Sequence, residues 1–237
     1  QIQLALERVR ARTMAMQHSD ELAETASLLF KQISDLGIQT WTSGFNIWEK
    51  DEASFVGYNP TPSGEIAAPY RIPSTEDSFF LNIYKAKERR EEFLVFESSG
   101  DALAKTYSYM KTLPVVKEVL KGIEDSGYQL PSFQINHCAF FLQGFLLFIT
   151  LDTYPEAHDI FKRFAKVFEQ TYTRFLDLQK AEAQARESQI QLALERVRAR
   201  TMAMQKSDEL SEAASLLFQQ VQSLGAPSWT AGYCIWD

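Results

Sequence analysis

Apolar residues recur at helical spacing along Leu22, Ala26, Leu29, Phe30, Ile33 and Leu36, and Gly37 follows as a stop. Ahead of them, residues 1–17 are rich in Ala, Arg, Leu and Met and predict another helix. Ser19, backed by Asp20 and Glu21, offers an N-cap with acids in the first turn, so a new helix or a kink begins there. From Thr40 to Trp48 the pattern becomes that of a strand. Glu49-Lys50-Asp51-Glu52 reads as its turn and Ala53 to Tyr58 as its hairpin partner. The Pro/Ser/Gly loop from Asn59 to Gly64 ends that pairing. Glu65 to Ile72 reads as a third strand, which Pro69 places at an edge. Ser74 to Arg89 predicts a helix with Phe79, Phe80, Ile83 and Tyr84 on one side and a solvated charged tail, Lys85 to Glu92. A fourth strand spans Glu92 to Ser98. Helices follow at Asp101 to Leu113 and Pro114 to Asp125, the second with Pro in its first turn and Gly127 past its end. Ser132 to Leu142 and Phe145 to Leu151 form a second hairpin across Gln143-Gly144. Thr153-Tyr154-Pro155-Glu156 has the form of a capping box. No Pro or Gly then occurs before Gly225. A helix from Thr153 to Lys206 would be roughly 80 Å long at 1.5 Å per residue.

The start of the chain returns at its end. Gln1 to Gln17 reappears unchanged as Gln189 to Gln205, and the match runs on with substitutions to Asp237. Leu210, Ala214, Leu217, Phe218, Val221 and Leu224 repeat the apolar face of the first copy, with Gly225 in place of Gly37. A period of 188 residues, Gln1 to Gln189, predicts a tandem array. The expected organisation is a connecting helix at 1–18, one complete domain at 19–178, a coiled-coil-like connecting helix at 179–206, and the start of a second domain at 207–237. Trp229, Tyr233, Ile235 and Trp236 would then present an apolar strand edge that pairs with another chain.

This element order predicts an α+β domain with one antiparallel sheet and helices on both faces. The order, the tandem arrangement and the stretch Leu4-Ala5-Leu6-Glu7-Arg8-Val9-Arg10-Ala11-Arg12 resemble GAF domains of large bacterial sensor proteins, multi-domain histidine kinases among them. The resemblance covers residues 19–178 and part of 207–237. It implies about six antiparallel strands, the first and last helices on one face, and a small-molecule pocket under the inter-strand helices on the other. The PAS fold, the competing assignment, has fewer strands and seldom carries such long flanking helices.

Composition narrows the function. The formal net charge is −7, which argues against broad nucleic-acid binding. The longest apolar run, Cys138 to Ile149, is too short to span a bilayer, so no membrane partner is expected within this segment. Cys138 and Cys234 fall at unmatched repeat positions, which argues against a disulfide framework and fits a reducing cytoplasm. The long helix carries Phe161, Phe164, Phe168, Thr171, Phe175 and Leu178 at heptad positions. A second seam, Ile190, Leu194, Val197, Thr201 and Met204, is out of phase with the first. Some of the phenylalanines must cover the sheet. The rest predict a parallel homodimer through the flanking helices, with a register break able to switch packing.

Candidate chemistry is sparse. His18, His137 and His158 show no metal-ligand spacing. His18 to Leu22 is similar to a kinase phospho-acceptor box, but Lys206 replaces His18 in the second copy and no ATP-binding motif follows. No phosphate-binding Gly-rich loop or nucleophile elbow appears. The Asn-Lys…Phe…Asp-Glu pattern of cyclic-nucleotide-binding GAF domains is absent, and no cofactor is identified. Cys138 lies in a strand, unlike the loop cysteine of bilin-binding members. His137, its neighbour, must point to the other face. A redox enzyme at Cys138 and a purely structural dimerisation module are the alternatives to a non-catalytic sensory module. Polar residues within apolar elements are the candidate ligand-orienting groups: Asn46, Gln134 and Asn136 on central strands, Arg71 on the edge strand, and Tyr107 and Tyr109 on a roofing helix. Cys234 stands in the second copy where Asn46 stands in the first.

Overall fold

A computed structural model describes residues 1–50 and 52–235. The predicted order holds throughout the first copy. Helices α1 (Ile2–Met14) and α2 (Leu22–Asp35) precede strands β1 (Thr42–Trp48), β2 (Ser54–Tyr58) and β3 (Tyr70–Pro73). Helix α3 (Ser78–Glu88), strand β4 (Phe93–Ser99) and helices α4 (Gly100–Met110) and α5 (Pro114–Asp125) follow. Strands β5 (Phe133–Phe141) and β6 (Gly144–Thr150) lead into α6 (His158–Met202), and α7 (Leu210–Ser223) repeats α2. The six strands form one sheet in the order β3-β2-β1-β6-β5-β4, with every neighbouring pair antiparallel. This is the expected six-stranded antiparallel α+β architecture. The chain folds as two compact units, residues 1–175 and 176–237.

Several element ends differ from the sequence reading, each for a local reason. β3 begins at Tyr70 rather than Glu65. Thr61 and Glu65 hold each other across the loop, with each backbone N–H donating to the other residue, and Pro69 has no N–H to offer a ladder. α3 begins at Ser78 because Asp77 caps it, its carboxylate accepting from Phe79 N–H at 2.9 Å. The expected capping box at Thr153 does not form. Residues 155–157 make a 3-10 turn preceded by Tyr154, with no side-chain cap bond. Likewise α2 does not start at Ser19. Residues 19–21 form a 3-10 turn that separates α1 from α2. Gly37 and Gly225 end α2 and α7 at φ +86° and +77°, a conformation only glycine adopts freely.

Strand pleating sorts the core into two layers. Phe45, Phe141, Phe148 and His137 point to one face, where the first turns of α6 lie. Phe161 stacks on Phe148 with ring centroids 4.0 Å apart, and Phe168 stacks on Phe45 at 3.9 Å. Phe161, Phe164, Phe168, Thr171 and Phe175 are all buried. The first heptad seam is therefore occupied by its own domain, and of its members only Leu178 is exposed. Glu169 accepts from Leu142 N–H at 3.0 Å and Gln143 donates to Thr173 at 2.8 Å, which fastens the β5–β6 turn to the same helix. On the opposite face Phe55, Ile72, Phe145, Leu147 and Ile149 meet Phe79, Phe80, Ile83, Val116, Leu120 and Ile123 of α3 and α5.

α6 runs unbroken for 45 residues, about 68 Å at 1.5 Å per residue. Among its second-seam residues Ile190, Val197 and Thr201 are half-buried, as is Met204 just beyond the helix, and Leu194 is exposed. In the second unit no strand forms over residues 226–235. In the first copy β1 is held between β2 and β6, and no strand pairs with residues 226–235 among the described residues. Trp229 and Ile235 are exposed; Trp236 lies outside the described residues. Among the described residues no helix is long and apolar enough to cross a membrane.

Candidate functional site

A cavity of about 80 Å³ lies between the sheet and helices α3, α4 and α5. Its floor is Asn46, Phe55, Tyr70, Ile72, Gln134, Phe145, Leu147 and Ile149, and its roof includes Phe80, Ile83, Leu103, Tyr107, Met110, Val116 and Leu120. Trp41, Thr42, Asn59, Pro60 and Pro62 also border it. None of these residues is charged. Thr106 donates to both carboxylate oxygens of Asp77, at 3.1 and 3.3 Å, so the cap of α3 also fixes α4 over the cavity.

The polar part of the lining forms two groups. In the first, Asn46, Gly57 and Tyr70 stand in register across β1, β2 and β3. Gly57 leaves a gap in that row. Asn59, two residues on, turns back into it and donates from Nδ2 to Asn46 Oδ1 at 3.2 Å and to Tyr70 Oη at 3.0 Å. A Cβ on Gly57 would lie 2.8 Å from Tyr70 Cε2 and 3.0 Å from Asn59 Nδ2, and one on Gly44 would lie 2.7 Å from Asn59 Oδ1. Asn46 and Asn59 are 1% and 6% exposed. Asn46 Nδ2 and Asn59 Oδ1 nevertheless have no hydrogen-bond partner. A buried unmade hydrogen bond costs about 1–3 kcal/mol, so these two atoms mark where a partner would be rewarded. Burial pushes the Tyr70 hydroxyl up to about 12, opposed in part by the bond from Asn59, so it stays protonated.

The second group is satisfied internally. Tyr107 donates to Gln134 Oε1 at 2.8 Å, Gln134 donates to Asn136 Oδ1 at 2.6 Å, and Asn136 donates to Ser98 Oγ and the Phe96 carbonyl. Burial, with the nearby Tyr70 adding to it, raises the Tyr107 hydroxyl. This chain of bonds ties α4, β5 and β4 together.

The six sequence candidates therefore separate. Asn46, Tyr107 and Gln134 line the cavity. Asn136 is buried on the same face of β5 but is spent on β4. Arg71 points away from the cavity and bonds the Glu49 carboxylate and Ser54 Oγ, because Tyr70 and Ile72 on either side of it take the inward face. Tyr109 donates to Glu76 at 3.0 Å outside the lining. Asn59 and Tyr70 belong to the site but not to the sequence candidates. The alternation of Tyr70 with Ile72 is a signal that could have found the tyrosine, whereas Asn59 carries none within the Pro/Ser/Gly loop.

Cys138 is fully buried in the cavity-side core, and burial pushes its thiol up, away from the thiolate that redox chemistry uses. His137 faces the other way, against Phe161 and His158. Its Nε2 lies 3.0 Å from Thr150 Oγ1, and burial, then the neighbouring His158, lower its pKa to about 4. Among the described residues no group of three or more His, Cys, Asp or Glu side chains is placed to hold a metal ion.

No protein-family model matches the chain, and a search of curated proteins returns no match. Solved structures similar to it include the GAF domain of an Acinetobacter phosphoenolpyruvate-protein phosphotransferase, with 10% identity and a TM-score of 0.45 over 73% of this chain and 93% of that one. Another is the A. aeolicus nlh2 GAF domain in an inactive state, with 13% identity and a TM-score of 0.42 over 76% and 99%.

Proposed function

We propose that residues 19–178 form a non-catalytic, GAF-like sensory module of a bacterial signalling protein working in the cytoplasm. It takes a small molecule into the cavity beneath α3, α4 and α5 and relays the bound state through α6. The observation that carries this reading is an uncharged cavity whose buried lining keeps Asn46 Nδ2 and Asn59 Oδ1 unpartnered. A ligand that prefers one arrangement of sheet and roof shifts the population toward it by its difference in affinity. In this reading the flanking helices join two copies. Leu178 and Leu192, both exposed on α6, are two heptads apart and supply apolar contacts for a parallel pair. A fragment screen by ligand-observed NMR tests the proposal. Saturable binders are expected, and Leu103→Phe, which fills the roof, should abolish their binding while the circular-dichroism spectrum is unchanged. A screen with no binder, or with binders indifferent to Leu103→Phe, would leave the structural module as the better account.

A further inference from the structure

We infer that the cavity is made for an uncharged molecule of about three or four non-hydrogen atoms that presents a hydrogen-bond acceptor and a donor side by side, a small primary carboxamide being the class that fits. The inference rests on the cavity being the ligand site. Size follows from volume: about 80 Å³ is roughly half the ~150 Å³ of a dry cavity that accepts benzene. Charge follows from the lining. No cationic side chain borders the cavity, so a carboxylate would lose its hydration without gaining a counter-ion. The polar pattern follows from the two open atoms. Asn46 Nδ2 can donate to the ligand carbonyl, and Asn59 Oδ1 can accept from the ligand N–H. The pattern does not depend on which way the amides are turned. If both side chains are reversed, Asn46 donates to Asn59 and Tyr70 Oη donates to the same oxygen, which again leaves one acceptor and one donor open. The glycines make this end of the site possible. Gly44 and Gly57 clear the space that the Asn59 side chain occupies, and a methyl group at either would press on it.

Three isosteres separate these requirements: acetamide, acetate and acetone. They share shape and differ in charge and in the presence of the donor. Xenon, which needs only space, reports on the cavity itself through the methyl resonances of Ile72, Ile83 and Leu103. The intact chain should admit xenon and bind acetamide saturably, with shifts at the Asn46 and Asn59 side-chain amides. Acetate should bind at least about tenfold more weakly, because its charge is buried without a partner. The ketone should bind about fivefold more weakly, because Asn59 Oδ1 stays unpaired. Asn59→Leu should bring acetamide and acetone within about twofold of each other while xenon still enters, because the oxygen that accepts from the amide N–H is gone. Gly57→Ala, a milder change that displaces Asn59, should reduce the same preference. If xenon enters but the charged or donor-free isostere binds as well as the amide, or none of the three binds, the assigned ligand class is wrong and the cavity survives. If xenon does not enter, the sensory reading and this inference fall together.

Discussion

The same seventeen residues occur twice in this molecule, in two different surroundings. In the first copy Leu6 is 3% exposed, whereas its counterpart Leu194 is 52% exposed. Val9 and Thr13 are buried, and their counterparts Val197 and Thr201 are half-buried. The polar clasp beside them is indifferent to this change. In the first copy Arg12 bonds Glu21 and Glu24, and Glu21 also accepts the backbone N–H groups of Gln17 and His18. In the second, Arg200 bonds Glu209 and Glu212, and Glu209 accepts from Gln205 and Lys206. Arg8 reaches Gln32 as Arg196 reaches Gln220. The helix-to-helix turn is thus a local structure written in adjacent residues. Burial of the apolar stripe follows its surroundings instead: in the first copy α2, on which α1 packs, rests on β1 and β2, and in the second no strand forms over residues 226–235.

The largest expected contrast follows from burial. Leu6→Ala should cost about 2–5 kcal/mol in urea denaturation of the first unit, and Leu194→Ala about 0.5 kcal/mol or less. Equal losses would mean that the second copy is buried by some contact the chain alone does not show. Next in size, amide hydrogen exchange should leave α2 protected longer than α7, since Leu22, Ala26, Leu29 and Ile33 are fully buried while Ala214, Leu217 and Val221 are not. Equal protection would mean that the second copy is as firmly packed as the first.

Acid should reveal the clasp in both copies. Backbone bonds from Gln17 and His18, then Arg12, hold the Glu21 carboxylate down to about 2. Gln205 N–H and Arg200 lower Glu209 in the same direction. A carboxyl group whose pKa falls on folding stabilises the fold above its unfolded value and loses that contribution as pH drops through its folded one. For Glu21 the window runs from the ordinary carboxylate range down to about 2. Carboxyl NMR titration should find its midpoint near the lower end, and Glu21→Gln should flatten the stability curve across that window. An ordinary midpoint at Glu21 would show the clasp open in solution. The smallest effect is a count of thiols. Cys234 is exposed and Cys138 buried, so a thiol reagent should modify one cysteine in the native chain and two after denaturation. Two reactive thiols at the outset would mean that the cavity-side core opens readily.

Local signals are readable from sequence and long-range geometry is less so. Helix stops at Gly37 and Gly225 and the proline start of α5 depend on single residues, and they fall where expected. The hairpins β1–β2 and β5–β6 need only short turns and alternating patterns, whereas the central β1–β6 pairing joins strands from opposite ends of the domain. The heptad pattern of α6 does not say which of its phenylalanines cover the sheet, because phenylalanines that pack on a sheet and phenylalanines that pack on another helix recur at nearly the same spacing. Strand phase could have excluded Arg71, since Ile72 must face the core and its neighbour cannot. Helical phase could have separated Tyr107 from Tyr109, which lie two residues apart and so cannot both face the cavity. Asn59 is beyond reach, because its place over Gly57 depends on how the chain leaves β2.

One feature of β1 reaches from the cavity to the far side of the sheet. Asn46 faces the open space, and Phe45, its immediate neighbour, lies flat against Phe168 of α6. A single peptide bond therefore joins the amide proposed to meet a ligand to a ring clamped on the exit helix. On that proposal, a guest that tugs the one would tilt the other, much as a key turns its bolt.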